Sequence, residues 1–216
     1  IKLFRSGGGL GTINCNTNAS RPQAVARLAE AGLTSMRVSL NSARPVLYER
    51  YYRPVDYCLD DVKESIRAAR SRGIFVALNL LFFPGITDTE EELDALARMV
   101  GENGVSMIQW RNLNIDPEWY FRLMNEGQDS GGGKRLEFSP SMGLTQFMKR
   151  LKKLCPWLRY GYFNPYVGER AELEAPAPGD WSMPAPRARE GALAPGESAD
   201  GSADGLTDAF SGDENS

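Results

Sequence analysis

Ser35-Met36-Arg37-Val38-Ser39-Leu40-Asn41-Ser42 decides the fold. The run follows Gly32, a helix stop, and it alternates: Met36, Val38 and Leu40 on one face, Arg37, Ser39 and Asn41 on the other. Taken alone it fits a half-buried antiparallel strand with its polar face in water. Helix patterns flank it on both sides, which points instead to a parallel βαβ unit. In a parallel barrel the second face is enclosed as well. Polar side chains aimed into such an interior cost on the order of several kcal/mol unless something satisfies them. Either polar neighbours near the strand ends do so, or a ligand does.

The same habit recurs along the chain. Asn14, Asn16 and Asn18 alternate in Ile13-Asn14-Cys15-Asn16-Thr17-Asn18. Asn79 interrupts the apolar run from Ile74 to Phe83, and Gln109, Arg111, Asn112 and Asn114 stud the stretch from Met107 to Ile115. One such position is ordinary; successive strands sharing the habit point to a common polar surface.

Working outward, the first strand is expected over Thr12 to Thr17. Ser20 is the expected cap of the next helix, with Pro22 just inside it and Gln23 at the capping-box position. After the second strand a short helix from Ala43 to Tyr51 precedes a longer one that starts at Asp60 or Asp61 and stops at Gly73. Tyr48, Tyr51, Tyr52 and Tyr57 crowd this connection and read as cover for a barrel rim. Thr87-Asp88-Thr89-Glu90-Glu91-Glu92 is a helix start rich in capping boxes; helix-dipole electrostatics explain its carboxylates without a metal. A fourth strand from Val105, a helix opened by Asp116-Pro117, a final helix from Ser141 to Leu154 and a fifth strand from Leu158 to Phe163 follow. Residues 127–134 read as a flexible connection. The expected fold is α/β: a parallel-stranded partial TIM barrel, since a full eight-unit barrel needs ~250 residues and this chain has 216. Its ligand belongs at the carboxyl ends of the strands.

Composition narrows the chemistry. The chain is 42% hydrophobic and contains no His, which removes the commonest general base and metal ligand. Its three cysteines, Cys15, Cys58 and Cys155, are too scattered for a disulfide framework or a metal cluster. No apolar run approaches the ~18 residues of a membrane span. Residues 171–216 carry 10 acidic and 2 basic side chains, leaving 23 basic and 18 acidic over residues 1–170. That body is too mildly basic to argue for nucleic acid. Two domains are expected: a barrel over residues 1–168 and a disordered acidic tail, rich in Pro, Ala, Gly and Ser, over residues 169–216. The chain opens on Ile1-Lys2-Leu3-Phe4-Arg5, which reads as the last turn of a helix and suggests a beginning partway through a larger protein.

Several stretches together resemble the radical S-adenosylmethionine (SAM) enzymes. Asn14-Cys15-Asn16-Thr17-Asn18-Ala19 is similar to their Thr-Asn-Gly strand end. Ala31 to Ser42 resembles their fourth strand, Ala77 to Glu91 their fifth strand and the helix start after it, and Met107 to Arg111 their sixth-strand position. The resemblance covers roughly residues 10–165. It implies a partial (β/α)6 barrel, here without its first strands, holding SAM across the strand ends. There a [4Fe–4S] cluster on three closely spaced cysteines cleaves SAM to a 5′-deoxyadenosyl radical, which abstracts hydrogen from a substrate. Carried over, Thr17 and Asn18 would approach the SAM methionine or ribose. Arg37, Ser39 and Asn41 would bind ribose and carboxylate, Asn79 the ribose, and Gln109 and Arg111 SAM or substrate. A rim salt bridge is the other reading of Arg37. The resemblance also implies a cytoplasmic enzyme with a flavodoxin or ferredoxin as electron donor, and no nucleic-acid or membrane partner. The cysteine triad and the first two strands are absent from these 216 residues. A fragment, inactive by itself and with its cluster ligands upstream, would account for both. The alternatives are a barrel-derived binding module without redox chemistry, and an unrelated α/β enzyme holding a strand-end ligand such as phosphate.

Overall fold

The computed structural model describes residues 1–112, 115–125, 139–161 and 175–184. The chain divides into two compact units, Ile1–Pro184 and Ala185–Ser216; the second lies outside the described residues. In chain order the first unit contains α1 (Lys2–Ser6), β1 (Asn14–Thr17), α2 (Pro22–Glu30), β2 (Ser35–Leu40), α3 (Pro45–Tyr52), α4 (Leu59–Arg70), β3 (Phe75–Phe82), α5 (Glu90–Asn103), β4 (Met107–Asn112), α6 (Pro117–Asn125), α7 (Leu144–Leu154) and β5 (Arg159–Tyr160).

Local sequence explains most of these boundaries. Pro22 and Pro45 each occupy the first turn of a helix, where a missing N–H costs nothing. Thr89 caps α5, its Oγ1 accepting from the Glu92 amide, and Gly104 stops the helix at φ 70°, a conformation that costs glycine little. At α2 the capping position is Arg21, not Ser20. The chain is still turning at Ser20: Thr17 Oγ1 accepts from the Ala19 amide at 2.9 Å, and Asn18 Oδ1 from the Ser20 amide at 3.3 Å. The fifth strand is shorter than expected, and Tyr162 and Phe163 lie outside the described residues, as do residues 127–134.

The sheet order is β1-β2-β3-β4-β5, and all four pairings are parallel. Parallel crossovers share one hand, so a sheet that never reverses its order places every connecting helix on the same face. A doubly wound sheet reverses and covers both faces. Here only curling of the sheet can shelter the other face, which makes the architecture a partial TIM barrel, as the helix–strand alternation implied. The helix-side core holds Met36, Val38, Leu40, Val76, Leu78, Leu80 and Ile108, with Val62, Ile66, Leu93, Leu96 and Phe147 from the helices. A second cluster joins Leu47 of α3 to Tyr120, Leu123 and Met124 of α6. The tyrosines expected as rim cover contribute to these layers, Tyr48 fully buried and Tyr51 edge-on to Tyr120 at 5.7 Å.

Two attachments close the body. Arg5 of α1 donates to the carbonyls of Gly9, Gly11 and Gly32, the last through both Nε and Nη2. Arg5→Ala should therefore loosen α1 and lower stability by about 1–2 kcal/mol, measurable by urea unfolding; an unchanged midpoint would mean α1 is held by other contacts. The second attachment corrects the expected tail. Residues 175–184 pack onto the body: Ala175 is buried, and Trp181 and Met183 lie against the helix-side core. Composition missed this because the stretch is mostly Pro, Ala and Gly, while its anchoring is done by one indole, one thioether and backbone groups.

Candidate functional site

Register assigns the strand side chains to faces, because paired residues in a parallel sheet share a side. Ser35 pairs with Asn14 and Phe75; Arg37 with Asn16 and Ala77; Ser39 with Asn79, which pairs in turn with Gln109; Leu81 with Arg111. These positions form successive rows on the face without helices. At the amino ends of the strands, Phe75 from the row of Ser35 and Ala77 and Met107 from the row of Arg37 and Arg159 form a small apolar cluster. Towards the carboxyl ends of the strands the rows turn polar: Arg37, Ser39, Asn79, Gln109 and Arg111. Five residues expected to share a surface therefore do so.

Their contacts tie them into a network. Arg111 Nε donates to Asn79 Oδ1 at 2.9 Å, and Arg111 Nη2 to Gln109 Oε1 at 3.2 Å. Gln109 is almost fully buried, while Arg37, Ser39, Asn79 and Arg111 are half-buried. Burial, and then the positive charge of Arg111, lower the pKa of Arg37. Two guanidiniums thus sense one another across the face. At the β1 side Asn14 donates to Asn16 Oδ1 at 3.0 Å and accepts from Ser35 Oγ at 2.9 Å.

Three further expected residues are placed differently. Thr17 pairs with Val38 and so belongs to the helix-facing side, where its hydroxyl closes the turn to Ala19. Ala19 sits at φ 53° and its carbonyl accepts from Ser65 Oγ at 2.6 Å, so the β1–α2 turn is held in a conformation that costs energy. Asn18 is exposed, one step past β1, with its Oδ1 in the same turn. Asn41 departs most. The alternation of β2 ends at Leu40, where the chain bends, and Asn41 is fully buried with Nδ2 donating to the Leu47 carbonyl at 2.9 Å. Its Oδ1 and the buried Tyr120 hydroxyl have no hydrogen-bond partner among the described residues. Asn41 ties the end of β2 to α3 and is not part of the polar face. Asn114 lies outside the described residues.

The loops above the face rest on two carboxylates that the sequence disguised as helix-start charges. Asp88 is buried and accepts from the Gly85 amide at 2.6 Å, Ser141 Oγ at 2.5 Å and the Gly143 amide at 3.2 Å. It thereby pins the β3–α5 loop to the start of α7. Glu92 is fully buried; its Oε2 accepts from Ser42 Oγ at 2.5 Å and its Oε1 from the Ala43 amide at 2.7 Å. Burial pushes the Glu92 carboxyl up to about 7, against the opposing pull of Ser42, Ala43 and Arg44. The available signal was phase: Glu92 falls beside Leu93 and Leu96 on the inward stripe of α5, whereas Glu90 and Glu91 fall outside it.

Thiolate ligation finds no support among the residues present. The cysteines are free and far apart in kind: Cys58 exposed, Cys15 half-buried, and Cys155 buried with its thiol pushed up to about 12 by desolvation. Among the described residues no group of three His, Cys, Asp or Glu side chains could hold a metal ion. No described helix is long and apolar enough to cross a membrane.

Comparison with known proteins bears on the same region. No curated protein matches the chain. A radical SAM methyltransferase from Sphaerobacter thermophilus is 18% identical, with a TM-score of 0.39 over 70% of this chain and 41% of that one. HydG, a maturase of the [FeFe]-hydrogenase, is 15% identical with a TM-score of 0.40, over 72% of this chain and 39% of its own. TsrM from Kitasatospora setae, a radical SAM methyltransferase solved with tryptophan and a SAM analogue, is 22% identical with a TM-score of 0.35, over 45% and 19%. The chain thus spans less than half the length of each of these structures. The family model of the radical SAM superfamily matches residues 2–100, which run from α1 through β3 to most of α5. Over those residues, 99 of the 216, the chain is similar to the radical SAM superfamily.

Proposed function

We propose that this chain is the later part of a radical SAM core and that it binds SAM on the helix-free face. The observation that carries the reading is the row of Ser39, Asn79 and Gln109 on neighbouring strands, with Arg37 one row before it, towards the carboxyl ends where barrel ligands gather. Arg37, whose planar fork suits a carboxylate, takes that end of SAM. Ser39 and Asn79 face the ribose hydroxyls, and Asn18, at the open β1 side, reaches the methionine portion. Arg111 and Gln109 stand towards the mouth of the face. When bound beside a reduced [4Fe–4S] cluster, SAM supplies a 5′-deoxyadenosyl radical for hydrogen abstraction. This chain's residues orient SAM and exclude water; they do not supply the cluster, because no cysteine triad exists in the 216 residues. The cluster ligands belong to polypeptide outside this sequence. The substrate and a flavodoxin- or ferredoxin-type reductant complete the proposal, with the cytoplasm as the setting.

Two measurements test it. S-adenosylhomocysteine, the unreactive analogue, should bind the 216-residue protein by calorimetry, and Arg37→Gln should weaken that binding at least tenfold. After anaerobic reconstitution the same protein should hold no stoichiometric iron or sulfide. Absence of analogue binding to the folded protein sinks the SAM reading, and a reconstituted cluster on the monomer would refute the placement of its ligands.

A further inference from the structure

The helix-free face carries several guanidiniums. Arg37, Arg111 and, at the β5 edge, Arg159 belong to it, and the other positions of the paired rows on the described strands are Asn, Ser, Gln or apolar. SAM brings one carboxylate together with a sulfonium cation, so it can neutralise at most one guanidinium. Arg37 and Arg111 also sit at different depths. Arg37 is level with Ala77, whereas Arg111 is level with Leu81, four residues further along β3. At ~3.3 Å per residue their backbones are roughly 13 Å apart along the strands. Arg111 is the one nearer the mouth.

Arg111 is also prepared in a particular way. Its Nε–H and one Nη2–H are taken by Asn79 Oδ1 and Gln109 Oε1, both neutral amides. These two contacts use one edge of the guanidinium and fix its plane without cancelling its charge. The other edge, formed by Nη1 and the second hydrogen of Nη2, finds no acceptor among the described residues. That edge matches the two oxygens of a carboxylate or phosphate. Holding a half-buried guanidinium rigid with neutral groups, beside a second guanidinium, favours an anion at that edge.

We infer that Arg111 is the anchor for an anionic group on the substrate, a carboxylate or phosphate, bound at the mouth of the face and separate from the SAM carboxylate on Arg37. Asn79 and Gln109 are its positioning residues. The inference rests on the SAM reading for the word substrate, but the anion site itself does not.

The test uses the 216-residue protein with malonate, inorganic phosphate, neutral malonamide and S-adenosylhomocysteine as separate titrants. Malonate or phosphate should bind, malonamide should not, and the preferred anion distinguishes a carboxylate site from a phosphate site. Arg111→Gln should weaken the anion at least tenfold. Arg111→Lys, which keeps charge without the fork, should recover part of that loss and controls for misfolding alongside circular dichroism. Malonate and S-adenosylhomocysteine should bind together instead of competing. Anion affinity unchanged in folded Arg111→Gln, or no anion binding to the wild type, overturns the inference. If S-adenosylhomocysteine fails to bind while the anion still depends on Arg111, the SAM reading falls and the anion site stands. If the analogue binds through Arg37 and the anions ignore Arg111, only this inference falls.

Discussion

The stability difference between the wild type and Glu92→Gln should fall by about 3 kcal/mol as pH rises from 4.5 to above 7. Glu92 is fully buried and its carboxyl is raised from an ordinary 4.5 to about 7. Below the unfolded value the acid is neutral in both states, and its burial costs little. Between the two values the unfolded chain ionises freely while the folded protein must hold the acid neutral, so stability drains away. Above about 7 the folded protein carries a buried carboxylate and the loss is complete. Glutamine keeps the carbonyl oxygen that accepts from Ser42 or Ala43 and has no such titration, so subtracting its curve isolates Glu92 from every other group. Urea unfolding of both proteins across that range gives the difference directly. A difference that stays flat would mean the two donors, Ser42 Oγ and the Ala43 amide, hold the carboxylate charged at all these pH values. The consequence reaches the site: Glu92 fastens the loop after β2 to α5, so its ionisation should loosen the loop that follows Arg37 and Ser39.

What the sequence revealed, and what it hid, follows from the range of the signals. The period-2 alternation of β2 reports which residues share a face, and it correctly grouped Arg37 with Ser39; Asn79, Gln109 and Arg111 followed from the same logic in β3 and β4. Alternation says nothing once the strand ends, so Asn41 was carried one step too far: a single bend after Leu40 turned it into the α3–α6 layer. Thr17 was legible by the same rule, since it is out of phase with Asn14 and Asn16, but its turn chemistry resembles a ligand-binding strand end. Glu92 and Asp88 were hidden for a different reason. A run of acids at a helix start is explained locally by the dipole, and only tertiary packing reveals that Glu92 is enclosed and bonded to a loop 50 residues away. The helix stop at Gly73 is a local event and is legible in the sequence, with the glycine at φ 72°.

Ending the chain after Glu174 should cost about 2–3 kcal/mol of stability, while ending it after Pro184 should cost nothing measurable. The segment between contributes Trp181, half-buried and edge-on to Trp157 at 6.4 Å, together with Met183 and Ala175. A half-buried indole alone is worth about 2 kcal/mol. Two backbone contacts add to it: Gly179 donates to the Glu102 carbonyl at 3.1 Å, and the Ala175 carbonyl accepts from Arg70 Nη2 at 3.2 Å. One effect works the other way. Arg70 is buried with Nε and Nη1 lacking partners among the described residues, and burial lowers its pKa, so uncovering it returns some free energy. The gain from the indole should outweigh that return. Gly101 offers the sharper test. A Cβ there would lie 2.2 Å from the Trp181 ring, so Gly101→Ala must push the indole off α5. In the chain ending at Glu174 the same substitution meets no indole and should stabilise α5 by up to about 1 kcal/mol, the helix preference of alanine over glycine. In the chain ending at Pro184 it should destabilise by about 2 kcal/mol. The sign of one substitution should therefore reverse with the presence of ten residues. Stabilisation in both chains would show that Trp181 does not rest on α5 in solution.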